Sequence, residues 1–221
     1  MLNLLFKDLL ILKKTFFFAL FYIVFMTLVF QNPPFSAAVY AMGTVAVAYI
    51  LMTSAGAYDE KNKSEVFLNS LPVRRREIVF AKYLAIFLYA ALGLGGTALF
   101  AAALKAALPS VPVGRPGLPD VAGALAGAVL LGSAYYPLCF KFGVQKVRLF
   151  QLFLFLLVFF LPPFAVEYLQ ARSSREEAAG LVGAALHVPA WVPESACAAL
   201  LLAVLLGSLT LSVRIYERKE F

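Results

Sequence analysis

Charged residues are absent from five stretches of this chain, 15–58, 83–104, 121–140, 149–166 and 195–213. A bilayer-spanning helix needs about 20 mostly apolar residues. Four of the stretches hold one span each. The first is long enough for two, divided by the turn signal Gln31-Asn32-Pro33-Pro34. The expectation is six transmembrane helices at about 15–31, 36–57, 78–105, 120–141, 148–168 and 193–213, forming a single transmembrane domain over 1–221. The apolarity is continuous and does not alternate, which argues against a membrane barrel of strands. Backbone groups in lipid must find partners within their own segment, which makes the segments helices. The fold class expected is therefore an all-α membrane protein. A composition that is 62% hydrophobic and 14% charged agrees, since soluble domains carry about 25% charged residues.

Lysine and arginine placement sets the orientation. With six spans, the N-terminus, loops 2–3 and 4–5 and the C-terminus share one side. That side holds fifteen of the nineteen basic residues, and only Lys105, Arg115, Arg172 and Arg175 lie opposite. The N- and C-termini are therefore expected in the cytoplasm. The +7 net charge then reads as topology plus attraction to anionic membrane lipid, and nucleic-acid binding is the weaker reading. A cleaved leader is also weaker. Thr15 to Phe30 is long for a signal core, and a second span follows at once.

Several local features carry smaller expectations. Leu2, Leu5, Phe6, Leu9 and Leu12 recur at helical spacing, so the N-terminus is either a short amphipathic helix at the membrane surface or an inward extension of span one. Cys139 and Cys197 fall near opposite membrane faces and cannot pair within one chain. Asp120 is placed to N-cap span four, where Gly123 and Gly127 have a spacing that favours close helix approach. Gly93, Gly95 and Gly96 lack the spacing and strand context of a nucleotide loop and read as sites of packing or local flexibility. Pro162-Pro163 is expected to kink or end span five, with Glu167 at or just beyond the outer boundary, where a solvated acid is the plainer reading than an intramembrane functional one. A short outer helix is expected over 174–186, followed by the lone His187 and by Trp191 at the interface. Tyr22, Tyr40, Thr44 and Tyr49 are candidate pore-facing polar positions, with no face assignable from sequence.

The chemistry of catalysis is missing. No GxxxxGK[ST] phosphate loop, no HExxH and no Cys/His cluster occurs, and one histidine outside the spans cannot build a triad within them. Acids are scarce in the spans, which leaves little for a proton relay. The pattern argues against an enzyme and for a membrane domain powered by a separate chain, with no nucleotide-binding domain and no cofactor of its own.

One charged passage, YDEKNKSEVFLNSLPVRRREIVFAKY, separates spans two and three. Asp59 is placed to N-cap a short helix, with Glu60 favouring its positive end. Val66, Phe67, Leu68 and Leu71 form an apolar edge amid the charges. Pro72 ends the element, and a new helix leads into span three. A solvated loop with a basic anchor explains Arg74, Arg75 and Arg76. It does not explain the apolar edge, which suggests a docking surface.

This passage resembles the first cytoplasmic loop of small six-span permeases of ATP-binding-cassette transporters of the type-2 class. YPLCFKFGVQKVR at Tyr136 to Arg148 and the C-terminal SVRIYERKEF agree with the same family. Within it the chain looks closest to permeases of peptide exporters such as the phenol-soluble-modulin exporter. One departure is Arg74, where the family often has a serine that forms a capping box with Glu77. The resemblance implies a mechanism. Two permease chains, expected as a homodimer, pair over a dimer of separate ATPase subunits that bind ATP and Mg. The cytoplasmic coupling helix between spans two and three would comprise Asp59, Glu60, Lys61, Asn62, Lys63, Ser64, Glu65, Phe67, Leu68, Asn69, Leu71 and Pro72. Its apolar edge would enter a groove of the ATPase, and ATP-driven closure would tilt spans two and three. The implied setting is a bacterial plasma membrane. The apolar spans favour an amphipathic or hydrophobic exported substrate, peptides among the candidates. The alternative is a membrane anchor or sensory subunit that docks a cytoplasmic partner and transports nothing.

Overall fold

A computed structural model of the chain describes residues 2–29, 39–64, 74–107, 116–173 and 191–219. These residues form α1 (Leu2–Ile11), α2 (Lys13–Val29), α3 (Val39–Lys61), α4 (Arg75–Ala107), α5 (Leu118–Phe142), α6 (Val144–Ser173) and α7 (Trp191–Glu217). Among the described residues there is no strand. Five helices, α3 to α7, are long and apolar enough to cross a membrane. At 17 residues, α2 stands at the short limit for a span.

Burial decides which helix is central. The apolar window of α3 is 67% buried, whereas that of α7 is 6% buried. α3 packs against α2, α4, α5 and α6, while α7 rests on α5 and α4. In a bilayer the exposed apolar side chains of the outer helices face lipid at little cost, so lateral association relies on close packing rather than on hydrophobicity. Small residues supply that closeness on α3. A Cβ on Gly93 would stand 3.0 Å from the Thr44 Cα, and one on Gly123 would stand 3.6 Å from the Ala41 Cβ. Gly127 faces Val45 one turn further along the same pair of helices. The small-residue spacing in span four therefore serves the contact between α5 and α3. Gly96 accommodates Ile23 of α2, but Gly95 meets nothing within 4 Å.

A proline organises the opposite flank. Pro137 lies inside α5 and has no N–H to give the carbonyl of Ser133, one turn earlier. That carbonyl accepts instead from the Ser208 hydroxyl of α7. Ser208 Oγ lies 2.6 Å from the Tyr83 hydroxyl of α4, which lies 2.8 Å from Ser212 Oγ. One missing backbone donor thus ties three helices together by a hydroxyl chain.

Several boundaries differ from the sequence expectation. α5 starts at Leu118 after Gly117, so Asp120 is not its N-cap. It sits in the first turn, and its Oδ2 accepts from the Gly117 N–H at 2.7 Å. α5 and α6 meet at a single residue, Gly143, without an extended loop. Gly143 has φ 84 and ψ 159, a conformation essentially confined to glycine. Its N–H donates to the Cys139 carbonyl at 2.9 Å. Gly143→Ala is expected to cost about 2 kcal/mol, read as a lowered thermal unfolding midpoint in detergent. An unchanged midpoint would contradict the assignment of strain to this corner. α6 continues through Pro162-Pro163 to Ser173, so the pair does not end it. Prolines are tolerated in spanning helices because neighbouring groups re-satisfy the freed carbonyls. Neither Cys139 nor Cys197 forms a disulfide among the described residues. The segment 174–186 and His187 lie outside the described residues.

Candidate functional site

The candidate coupling segment leaves the bundle at the end of α3 and returns at the start of α4. Asp59, Glu60, Lys61, Asn62, Lys63 and Ser64 are described. Glu65, Phe67, Leu68, Asn69, Leu71 and Pro72, with Val66, lie outside the described residues.

α3 runs two residues past Asp59 to Lys61. Asp59 therefore does not open a helix. It closes one, and its side chain turns into the bundle. The helix ends where the Asn62 N–H donates to the Tyr58 carbonyl at 3.0 Å and the Lys63 N–H to the Glu60 carbonyl at 3.2 Å. Lys63 adopts φ 49, a left-handed position that commonly terminates helices. The chain changes direction there, leaving Lys61, Asn62 and Lys63 exposed.

Asp59 belongs to a buried ion cluster that joins three helices. Its Oδ2 lies 2.5 Å from Lys82 Nζ on α4, and its Oδ1 lies 2.9 Å from Lys7 Nζ on α1. Lys82 also reaches Asp8 Oδ2 at 2.7 Å, and Lys7 reaches Asp8 Oδ1 at 3.2 Å. The side chains of Lys82, Asp8 and Asp59 are only 14%, 7% and 13% exposed. Two cations and two carboxylates alternate, so the cluster is neutral and each carboxylate has two partners. This is the arrangement in which buried charges are tolerated. The cluster pins α1 through Asp8. α1 packs on α2, α3 and α4, and the helical hydrogen bonds run on into α2, from the Leu12 N–H to the Asp8 carbonyl at 3.2 Å and from the Phe16 N–H to the Leu12 carbonyl at 3.0 Å. Sequence reading placed Lys7 and Lys82 only by their charge and gave Asp8 no role. Nothing in the pattern signals that residues 8, 59 and 82 converge.

Glu60 takes a different partner. Its Oε2 accepts from the backbone N–H groups of Val144 and Gln145 at 2.9 and 3.2 Å. A carboxylate from α3 thereby caps the N-terminus of α6, where unpaired donors and the positive end of the helix dipole favour an acid. The other flank of the segment is tied by more exposed contacts. Arg75 Nη1 donates to the carbonyls of Glu217 and Lys219 at 2.8 and 3.1 Å, and Arg76 Nε to Glu217 Oε1 at 2.6 Å. The arginines that mark a membrane face in sequence also satisfy the C-terminal carbonyls of α7. Arg74 precedes α4, and its carbonyl accepts from the Glu77 N–H at 2.9 Å.

The segment therefore emerges from a platform in which α1, α3, α4, α6 and α7 are joined by named polar contacts. A cavity of about 280 Å³ sits in this platform, lined among others by Asp59, Lys82, Tyr135, Tyr136 and Tyr216. The four candidate pore-facing residues do not share one face. Tyr40 and Thr44 are buried in the core, and Tyr49 stacks on Phe155 of α6 with ring centroids 4.4 Å apart. Tyr22 lies on α2 beside Phe25.

The family model described as ABC-2 family transporter protein matches residues 3–217 of the chain. The chain belongs to the ABC-2 transporter family. It is a multi-pass membrane protein and the permease of an ABC transporter. A permease of this family is a transport subunit, not itself catalytic, and it works with an ABC ATPase. No curated protein and no solved structure matches the chain. The match is to the family as a whole and does not narrow the permease to peptide exporters.

Proposed function

We propose that this permease is the membrane subunit of an exporter in a bacterial plasma membrane, with six spans, α2 being the first, and both termini in the cytoplasm. A homodimer of permeases sits on two copies of an ATPase that binds ATP and Mg, and the pathway lies between the two chains. The segment from Asp59 to Pro72 is the coupling element. Lys61, Lys63 and Glu65 align it, and Phe67, Leu68 and Leu71 supply its buried contact. The exported substrate is amphipathic or hydrophobic, with peptides as the candidate class, because the spans offer much apolar surface and few polar groups.

One observation carries this reading: both ends of the segment are fastened to the bundle by Asp59, Glu60, Arg75, Arg76 and Lys82. A push on the segment must reach the spans without being absorbed, which requires a rigid connection. A solvated loop has no need of five such ties.

Phe67→Asp and Leu68→Asp test it. A charge placed in an apolar docking contact typically costs 2 kcal/mol or more, so retained ATPase is expected to fall roughly thirtyfold. Transport falls with it, while membrane insertion is unchanged. Co-purification of the ATPase with the permease from membranes, together with substrate efflux, reads both. Undiminished association and undiminished efflux would remove the coupling assignment.

A further inference from the structure

α6 is joined to the helix before it by a narrow corner. α5 ends at Phe142 and α6 starts at Val144, so one residue, Gly143, connects two long helices. Its N–H closes α5 on the Cys139 carbonyl, and its φ of 84 lies outside the helical region. Hinges are a few element-terminal residues that absorb a change in backbone angles, and glycine has the widest range of them. The first turn of a helix leaves its N–H groups without helical partners. At α6 the N–H groups of Val144 and Gln145 donate to Oε2 of Glu60, the residue before the last of α3. One turn back on the same face of α3, Gly56 lets the helices meet. A Cβ there would run into the Tyr135 hydroxyl of α5 and stand 3.1 Å from Val144 Cγ2. The end of α3 is thus seated in the α5–α6 corner by shape at Gly56 and by hydrogen bonds at Glu60.

Past the corner a space of about 610 Å³ opens between the two helices, lined by Thr53, Ala57, Gln145 and Arg148 among others. α3 meets α6 again where Tyr49 stacks on Phe155, about 16 Å of helix from Glu60. A close-packed interface resists displacement because it has no room, and this stretch has room. The corner therefore sets where α6 starts relative to α3. The contact at Gly56 can push α6 but cannot draw it. The two hydrogen bonds to Glu60 resist separation as well, and a carboxylate at the positive end of the α6 dipole strengthens them.

From this geometry we propose that Glu60 is a positioning residue of the transport cycle, carrying the movement of the end of α3 to α6 and turning that helix about Gly143. The inference rests on the coupling assignment and extends it. α3 and α4 are continuous with the coupling segment and move with it directly. α6 is remote from the segment in sequence, and the Glu60 carboxylate supplies the link. A push on the segment thereby reaches a third long helix through a contiguous set of contacts. An ordinary N-cap side chain belongs to the helix it caps. This one comes from 84 residues earlier in the chain, at the end of the helix that carries the segment.

The test uses the full permease with its ATPase in nanodiscs. An environment-sensitive fluorophore is attached through Leu149→Cys on α6 or Phe80→Cys on α4, positions 80% and 42% exposed. Exposed Cys197 is replaced by serine, and buried Cys139 is left. A non-hydrolysable ATP analogue with Mg is expected to shift the emission of both reporters. Glu60→Ala lowers the α6 shift roughly fivefold, the factor that one lost cap sets, and leaves the α4 shift in place. Glu60→Gln, whose amide oxygen accepts the same two N–H groups, restores most of the α6 shift. Phe67→Asp abolishes both shifts. Shifts that survive Phe67→Asp mark a failure of the coupling assignment, which is thereby told apart from a failure of the Glu60 link. Thermal melting of the permease alone verifies that each variant is folded. An α6 reporter that stays silent beside a responding α4 reporter in the unaltered chain overturns the proposal. So does an α6 shift undiminished by Glu60→Ala, or an equal loss at both reporters. A Glu60→Gln variant as impaired as Glu60→Ala overturns the hydrogen-bonded link.

Discussion

Lys82→Met is expected to cost the folded permease about 3 kcal/mol, the low end of what breaking a buried ion pair costs. Removing the ammonium leaves Asp8 and Asp59, 7% and 13% exposed, facing each other with only Lys7 between them. Lys7 is 28% exposed, so it offsets part of the loss and keeps the cost from the top of the range. The damage is directional. Asp8 holds α1 and Asp59 holds the end of α3, so the variant loosens α1 first and opens the helical backbone at Lys13 and Lys14, whose side chains are already exposed, to trypsin. Denaturant titration in mixed micelles measures the energy, and limited proteolysis locates it. Adding Asp8→Asn and Asp59→Asn to Lys82→Met restores most of the stability, because the cost arises from uncompensated charge rather than from lost packing. A shift below about 1 kcal/mol for Lys82→Met alone is what an exposed pair would give, and would mean that the cluster is not a structural tie.

Gly93→Leu is expected to be as damaging, and Gly95→Leu close to neutral, although the two glycines stand in one GLGG run. A Cβ on Gly93 would lie 3.0 Å from the Thr44 Cα and 3.1 Å from its carbonyl oxygen. Those atoms are backbone and cannot rotate away. The same crossing is tight from the other side, since a Cβ on Gly43 would lie 2.9 Å from Thr97 Cγ2. A leucine at 93 must therefore separate α3 from α4 along the interface that buries the centre of the bundle, at the upper end of overpacking costs, about 3 kcal/mol. Gly95 meets no atom within 4 Å, and substitutions at open positions stay within about 0.5 kcal/mol. Paired thermal melts in detergent compare them. Similar midpoints for the two variants would mean that the close approach at Gly93 does not hold the helices together.

The candidate site is partly legible in the sequence. The passage from Tyr58 to Tyr83 stands out because charge in an apolar chain is conspicuous, and its basic residues mark one membrane face. The roles of Asp59 and Glu60 depend on partners remote in sequence, and that of Asp120 on where a helix begins. Asp59 looks like an N-cap since acids before apolar runs often are, yet its carboxylate is claimed by Lys82 and Lys7 across two other helices. Asp120 was placed one turn too early because proline and glycine beside it suggest loop, while Leu118 and Pro119 already belong to α5. Pro119 is compatible with the first turn of a helix, which has no use for its missing N–H. Glu60 was assigned to its own local helix, and nothing in its neighbourhood reveals that it caps α6.

That the uncharged stretches are helical was legible in the sequence, because in lipid a backbone must bond within its own segment. The clustering of charge between those stretches was legible too, and three charged motifs pointed to the family. Which helix is central and which glycine of a run is in contact are properties of the packed bundle. The tertiary structure brought Asp8, Asp59 and Lys82 together and set Glu60 against the start of α6. These are relations between segments 23 to 74 residues apart and more. Helical periodicity specifies a face for each segment but not the partner that the face will meet.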